Sequence, residues 1–241
     1  MSKLPTLQSF VDEGWITEVL EPLKSGKEAT AYCCQANPAT GYDLLLAKVY
    51  ANPESRGFRH DAAYREGFYI ADSRLRRASR NKTQVGRVVD FSVWLENEFK
   101  TLSVLHAAGA DVPLSLAMSE NAILMEYVGD ELGPASQLNR VHLEADEAPE
   151  IYQRLVENIR LWLTHHLVHA DLSPFNILYW QGSIKVIDFP QAVDARFNSQ
   201  AYAFLHRDIE NVCQHFSRYG VGGESWRIAD DMWARYQTNR L

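Results

Sequence analysis

Two neighbouring stretches of this sequence decide its fold class. The first reads Leu-Val-His-Ala-Asp-Leu-Ser-Pro-Phe-Asn-Ile-Leu at residues 167–178, and the second reads Ile-Lys-Val-Ile-Asp-Phe-Pro at residues 184–190. Asp171 and Asn176 stand five residues apart in a polar loop between apolar segments, and Asp188 follows twelve residues after Asn176 at the end of a second predicted strand. This spacing is typical of magnesium-dependent phosphoryl transfer from a nucleoside triphosphate.

The chemistry of that reaction explains the three residue types. The transferred phosphoryl group carries dispersed negative charge, so a protein supplies oxygen ligands for Mg²⁺ and one acceptor for the incoming hydroxyl. We expect Asp188 and Asn176 to bind metal and Asp171 to orient the hydroxyl. Each piece alone could be ordinary turn chemistry, because Asp and Asn favour turns. Predicted strands at residues 177–180 and 183–187, around a Gln-Gly turn, favour the joint interpretation.

Composition is that of an ordinary globular protein. The chain has 241 residues, 46% of them hydrophobic, with a net charge of −7, and it can bury the core of one large domain or two small lobes. No stretch approaches the roughly 20 apolar residues of a membrane span, and the first residues lack a secretory apolar core. We therefore expect a cytoplasmic location and no membrane partner. Three cysteines are too few for a disulfide framework.

A lysine in the first half needs a partner. Lys48 interrupts a nearly apolar predicted strand at residues 43–50, which follows predicted strands at 15–20 and 31–35, and a buried charge requires an opposite one. In a helix predicted at 91–108, Glu98 falls within the apolar face. We predict that Glu98 pairs with Lys48, as in kinases; the alternative is a half-exposed carboxylate at the edge of that face.

The remaining elements complete an α+β pattern of two lobes. A buried strand at residues 122–128 runs into Gly129, where a hinge is expected, and a helix predicted at 148–166 leads into the Asp171 loop. Two more helices are predicted at 199–219 and 223–237. Strands with one helix, followed by a mostly helical half, favour this fold class.

Taken in order, these motifs resemble the RIO family of atypical serine/threonine protein kinases over nearly the whole chain. The residues that carry the resemblance are Ser25-Gly26-Lys27-Glu28-Ala29-x-x-Tyr32, Ala47-Lys48-Val49-Tyr50, Trp94-x-x-x-Glu98-Phe99, His169 to Asn176, Ile187-Asp188-Phe189-Pro190-Gln191 and Arg207-Asp208-x-x-Asn211-Val212.

The resemblance implies a bilobal protein-kinase-like fold without an N-terminal winged-helix domain. The N-lobe would span residues 1–126 and the C-lobe 127–241, together one kinase domain whose C-lobe lacks activation and peptide-docking segments. The implied cofactors are ATP and Mg²⁺, with Mn²⁺ as an alternative ion. The implied catalytic residues are Asp171, Lys48, Glu98 and Asp188; the metal ligands are Asn176 and Asp188; the nucleotide contacts are Ser25, Gly26, Lys27, Glu28, Lys48, Met125, the backbone of Glu126 and Val128, Ser173 and Asn176.

Several residues differ from those of ordinary protein kinases, and each difference has a physical consequence. The phosphate loop keeps only Gly26, so we expect it to be less pliable than a glycine-rich flap. Ala170 replaces the Arg that binds a phosphorylated activation loop, so that mode of control is not expected. Pro190 restricts the backbone angle φ directly after the predicted metal ligand Asp188. Ser173 replaces a lysine near the γ-phosphate, and this loss of positive charge predicts slow turnover. No peptide-docking platform follows, so the sequence does not identify the acceptor.

A basic insert is predicted at residues 51–90. Between residues 54 and 90, nine basic side chains outnumber five acidic ones. Such a segment could dock RNA, a ribosomal particle or an acidic partner, or it could be a solvated loop that folds over the nucleotide; we favour the solvated loop. Ser73 and Ser79 are candidate autophosphorylation sites. The basic cluster consists of Arg74, Arg76, Arg77, Arg80 and Lys82.

Four functions are compatible with these motifs. The leading one is an ATP- and Mg²⁺-dependent serine/threonine kinase that acts on a protein or on itself. The others are an ATPase in which Asp188 accepts the phosphoryl group, a small-molecule phosphotransferase, and a nucleotide-dependent scaffold for a ribosomal or RNA partner. Asp208 either braces the catalytic loop or is a surface residue paired with Arg207.

Overall fold

The computed structural model describes residues 5–51, 64, 81 and 83–241. The chain divides into two compact units. The first takes its described residues from 1–59, 69–103 and 113–134, and the second from 60–68, 104–112 and 135–241. Within the described residues, no helix combines the length and apolar character needed to cross a bilayer.

An antiparallel five-stranded sheet forms the first unit. Its strands lie in the order β1-β2-β3-β5-β4, so consecutive hairpins build one edge and β5 lies beside β3. Helix α1 (Pro5–Asp12) precedes the sheet, and helix α2 (Gln84–Ala107) follows β3 in the described chain. The strands are β1 (Ile16–Ser25), β2 (Ala29–Ala36), β3 (Leu44–Tyr50), β4 (Ser115–Met118) and β5 (Ala122–Glu126). A short ladder, β6 (Gly129–Asp130) with β7 (Gly133–Pro134), ends the unit.

The turn between β2 and β3 has the local chemistry that its sequence indicates. The side chain of Asn37 accepts the Ala39 N–H at 3.0 Å and caps a 3-10 turn at Pro38–Thr40. Gly41 ends that turn at φ 78°, a left-handed conformation that glycine adopts without a steric cost. Antiparallel pairing of β2 with β3 closes a hairpin around this turn.

Helix α1 was missed by the sequence reasoning. Leu7 and Phe10 are completely buried and pack with residues of β1, β2 and β3. Pro5 at the first helical position and two apolar residues three apart were the available signal. Eight residues were too short a window for the periodicity to stand out.

Helix α2 begins earlier than the sequence predicted. It starts at Gln84 rather than at residue 91, so residues 84–90 of the predicted insert are helical. Thr83 caps this start, because its Oγ1 accepts the Gly86 N–H at 3.0 Å. The other residues predicted to be functional in the insert, namely the basic cluster and the two candidate serines, lie outside the described residues.

The second unit is mostly helical, as expected. Helix α3 (Glu147–Thr164), helix α4 (Ala201–Ser217) and helix α5 (Ser225–Gln237) lie within two residues of the predicted bounds. Its short strands form two small sheets, in the orders β11-β10-β8 and β12-β9. These strands are β8 (Ser136–Gln137), β9 (Leu167–Val168), β10 (Ile177–Trp180), β11 (Ser183–Val186) and β12 (Val193–Asp194).

The two units divide the chain at a different place from the predicted lobe boundary. The change falls between residues 134 and 135 rather than after 126, and residues 104–112 group with the second unit. Hydrogen bonds explain that grouping. Asp111 O accepts the Val186 N–H at 2.7 Å, and the Asp111 N–H donates to Asn158 Oδ1 at 2.7 Å. Arg154 adds a salt bridge to the Asp111 carboxylate.

Candidate active site

Lys48 and Glu98 form a buried ion pair in the first unit. Lys48 lies in β3 between Ala31 of β2 and Ile123 of β5, and its Nζ is 2.7 Å from Glu98 Oε1. The Glu98 side chain is 0% exposed and that of Lys48 is 17% exposed, so solvent screens the pair weakly. The predicted contact is present, and Glu98 is not an edge carboxylate.

Tyr50 is a second donor to the same carboxylate. Its hydroxyl donates to Glu98 Oε2, and its ring lies 5.0 Å from Lys48 Nζ. Burial, followed by the nearby Glu98 charge, raises the pKa of Tyr50 well above its usual value, so the hydroxyl keeps its proton. Sequence reasoning missed this role, although residues two apart in a strand face the same side.

The candidate phosphate loop is the exposed turn between β1 and β2. Gly26 N–H donates to Ala29 O at 2.9 Å, and the Ser25 and Thr30 hydroxyls are 3.2 Å apart. Lys27 and Glu28 are exposed at its tip, where a ligand can reach them. These contacts close the turn, and the expectation that it is less pliable than a glycine-rich flap stays a prediction.

The predicted adenine contacts lie where β5 ends. Met125 is buried in the strand, and Val128 is half-buried after it. The Glu126 N–H donates to Leu114 O at 2.9 Å, and Glu126 Oε2 accepts the Leu114 N–H at 3.2 Å. Because the N–H already has this partner, we expect the Glu126 backbone to contact the adenine through its carbonyl oxygen.

Helix α4 clamps the backbone of the catalytic loop. Asp208, which is 2% exposed, accepts the N–H groups of Ala170 at 2.7 Å and Leu172 at 2.9 Å. Arg207 donates to Ala170 O, and Asn211 Nδ2 donates to Leu172 O at 2.8 Å. The residues on both sides of Asp171 are thus fixed by one helix. Asp208 is the predicted brace and not a surface residue.

The contacts from Asp208, Arg207 and Asn211, here called the clamp, hold a strained backbone at Ala170, and the pKa of the Asp208 carboxyl is itself shifted. Ala170 has φ 66°, a left-handed conformation that non-glycine residues seldom adopt. Burial raises the pKa of Asp208 to about 7, while the two backbone N–H donors and Arg207 act in the opposite direction. The hydrogen bonds of the clamp offset the strain at Ala170.

His169 joins the catalytic loop to the segment of Asp188. Its Nδ1 accepts the Asp171 N–H at 3.3 Å, which assigns the proton to Nε2, and Nε2 donates to Ile187 O at 3.2 Å. The Ile187 N–H donates to Asn176 O at 2.9 Å. The buried His169 ring packs on Phe189 at 4.4 Å. Both polar backbone groups of Ile187 are therefore bonded to the loop that carries Asp171 and Asn176.

The predicted metal ligands suit Mg²⁺. Asn176 Nδ2 donates to Asp171 O at 2.9 Å, which leaves the amide oxygen as the ligand atom. Asp188, at φ 71°, supplies a carboxylate next to Ile187. The described part of the chain has no cluster of three or more His, Cys, Asp or Glu side chains suited to a metal. Mg²⁺ does not need one, because it is held by one or two carboxylates together with phosphate oxygens and water.

Ser173 lies at the start of a 3-10 turn in the same loop. The turn spans Pro174–Asn176, and Ser173 O accepts the Asn176 N–H at 2.9 Å. Ser173 is half-buried and Asp171 is exposed. The polar loop that the sequence predicted between Asp171 and Asn176 therefore contains this 3-10 turn.

Comparison with known proteins identifies relatives for most of the chain. The RIO domain family model matches residues 47–228. Serine/threonine-protein kinase rio1 of Schizosaccharomyces pombe is 29% identical over 222 residues, which cover 90% of this chain and 41% of that protein. RIO-type serine/threonine-protein kinase Rio1 of Haloferax volcanii is 31% identical over 218 residues, 90% of this chain and 70% of that protein. The Rio1 protein of Thermoplasma acidophilum is 35% identical over 150 residues, 62% of this chain and 77% of that protein. The chain thus spans about two fifths of the yeast relative.

Proposed function

Because this chain belongs to the RIO family of serine/threonine-protein kinases, whose domain has a protein-kinase-like fold, we propose that it transfers the γ-phosphate of ATP to a serine or threonine hydroxyl with Mg²⁺. The acceptor is a protein or this chain itself. The observation that carries the proposal is the pair of hydrogen bonds at Ile187, which hold the Asp188 segment against the loop of Asp171 and Asn176.

Three side chains of the second unit divide the chemistry. Asp188 and the Asn176 amide oxygen hold the metal, which when bound neutralises charge on the phosphates. The Asp171 carboxylate accepts the proton of the attacking hydroxyl. Since Asp208 fixes the backbone on either side of Asp171, the carboxylate is positioned before the substrate arrives.

Residues of the first unit bind the nucleotide. Lys48 supplies positive charge to the phosphates and Glu98 orients it. Ser25, Gly26, Lys27 and Glu28 lie at the exposed turn that contacts the phosphates. Met125, the Glu126 carbonyl and the Val128 backbone bind the adenine, and Ser173 is the proposed contact to the γ-phosphate.

The test is phosphate transfer by the purified chain. With γ-labelled ATP and Mg²⁺ we expect the wild type to label itself or an added acceptor, and Asp188→Ala to lower the labelling about a hundredfold or more. Asp231→Ala is the matched control, because it removes an exposed pair with Arg235 on α5. Undiminished labelling of Asp188→Ala contradicts the proposal.

The chemistry of the label separates the kinase from the ATPase alternative. Phosphate on serine or threonine survives acid and hydroxylamine. An aspartyl phosphate is acid-labile and hydroxylamine-sensitive, and finding it on Asp188 would replace the kinase proposal with the ATPase cycle.

A further inference from the structure

We propose that Tyr50 is a positioning residue for phosphoryl transfer, because its hydroxyl holds one oxygen of Glu98 so that the other oxygen is presented to Lys48. This inference rests on the proposed function and deepens it. The observation behind it is that the two carboxylate oxygens of one buried residue each receive a hydrogen bond from the same strand, Oε1 from Lys48 and Oε2 from Tyr50.

The Tyr50 contact restricts the orientation of the Glu98 carboxylate further than the Lys48 contact does. The terminal torsion of a glutamate side chain is broad, so the Lys48 contact alone permits the carboxylate plane to rotate. The Tyr50 hydroxyl on the second oxygen fixes that plane. Lys48 and Tyr50 are two residues apart in β3 and therefore project from the same face of the sheet toward Glu98 on α2.

Tyr50 is itself held in place before any substrate binds. It is 2% exposed, and its ring makes an edge contact with Trp94 at 4.9 Å. Its backbone N–H donates to Asn121 O at 2.8 Å, and its carbonyl accepts Asn121 Nδ2 at 3.1 Å. Asn121 in turn accepts the Thr6 hydroxyl at 2.6 Å. The backbone of Tyr50 is thus anchored to Asn121, directly before β5, and through Asn121 to α1, so orienting Glu98 requires no further ordering of Tyr50.

Burial makes this donor important. The Glu98 side chain has no exposure to water, and a buried carboxylate that loses a donor loses part of the hydrogen bonding that offsets its burial. Because the Tyr50 hydroxyl stays protonated, it acts as a donor and not as a second negative charge. Its removal loosens Glu98 and, through Glu98, the direction in which Lys48 points.

Losing the Tyr50 hydroxyl should weaken stabilisation of the transition state more than binding of ATP. Tyr50→Phe leaves the Lys48 charge in place, so the ground-state attraction for ATP persists. The loosened lysine stabilises the developing charge of the transferred phosphoryl group less well, because that stabilisation depends on preorganised geometry. An interaction that is lost mainly in the transition state lowers kcat and leaves KM nearly unchanged.

The experiment measures steady-state ATP consumption with Mg²⁺ by wild type and Tyr50→Phe. We expect kcat to fall about tenfold, the effect of one lost hydrogen bond to a charged group, while the KM for ATP changes less than about twofold. Tyr42→Phe is the matched control: Tyr42 is a half-buried tyrosine that packs against the core of the same sheet, and its kcat should equal the wild-type value.

A second arm tests whether Tyr50 acts through Glu98. In a Glu98→Gln background the carboxylate that Tyr50 orients is absent, so adding Tyr50→Phe should lower kcat by much less than the roughly tenfold expected in the wild type. If Tyr50→Phe alone unfolds, the kcat of the double variant relative to that of Glu98→Gln still provides a result. Wild-type kcat in Tyr50→Phe, or a further tenfold fall in the Glu98→Gln background, overturns the inference. The proposed function fails separately, through undiminished activity of Asp188→Ala.

Discussion

Asp208 illustrates how one side chain determines the shape of a loop. Its carboxylate accepts two backbone N–H groups from residues on either side of Asp171, and it is almost completely buried. An asparagine has one acceptor oxygen, so in Asp208→Asn one N–H group loses its bond. We expect the free energy of unfolding to fall by about 1 to 3 kcal/mol, with lower phosphate transfer, as measured by urea denaturation and the labelling assay.

The pH dependence of that difference follows from the direction of the pKa shift. Burial raises the pKa of Asp208 to about 7 from an ordinary value of 3.8, so the folded state binds more protons than the unfolded state between those values. Stability contributed by Asp208 is therefore full below pH 4 and declines as the pH rises through 7. The wild-type advantage over Asp208→Asn should shrink across that range. An advantage that grows with pH contradicts the assignment.

The local sequence around Ala170 could not reveal this clamp. Asp208 is 38 residues beyond Ala170 along the chain, and the family pattern marked it without saying which atoms it contacts. The same holds for Tyr50, whose partner Glu98 is 48 residues away. Lys48 and Glu98 were predictable because a charge in an apolar strand demands an opposite charge on an apolar helix face.

Helix α2 shows what element boundaries depend on. The apolar periodicity predicted its body, but Thr83 sets its start seven residues before the predicted one through a hydrogen bond to Gly86 N–H. Thr83→Ala removes that cap, and we expect it to lower the free energy of unfolding by about 1 kcal/mol. Thr83→Ser keeps the hydroxyl and is the control. Equal urea midpoints for Thr83→Ala and wild type show that the cap is not needed.

Helix α1 and the segment 104–112 show a second limit. The short helix is held by burial of Leu7 and Phe10 rather than by strong periodicity, and residue 111 joins the second unit through hydrogen bonds to α3 and β11. Both outcomes depend on tertiary contacts. The hairpin at Asn37 and the strands β10 and β11 were predictable, since their turn residues act on their immediate neighbours.

At the scale of the whole molecule, nucleotide binding should be visible as a change in thermal stability. A ligand that binds only the folded state raises the unfolding temperature. ATP with Mg²⁺ at about 100 times its dissociation constant should raise it by about 5 to 10 °C for a chain of this size. A thermal shift assay checks this, with ATP plus a chelator as the control.

Removing the metal with a chelator tests whether Asp188 and Asn176 are metal ligands. One carboxylate and one amide oxygen suit Mg²⁺ or Mn²⁺, and a chelator should reduce both the thermal shift and the phosphate transfer, which either ion restores. Asp188→Ala should lose most of the metal-dependent part of the shift. A shift that is the same with and without chelator contradicts the assignment of Asp188 and Asn176 as metal ligands.

The sequence by itself indicated the chemistry that is proposed for this protein. Asp171, Asn176 and Asp188 at their spacing, and Lys48 in an apolar strand, indicate phosphoryl transfer because reaction and burial restrict the residue types at those positions. Only the tertiary structure decided how those residues are held: by Asp208, His169 and Tyr50, through hydrogen bonds between distant parts of the chain. Spacing along a chain records local geometry, whereas a contact across tens of residues exists only after the chain has folded.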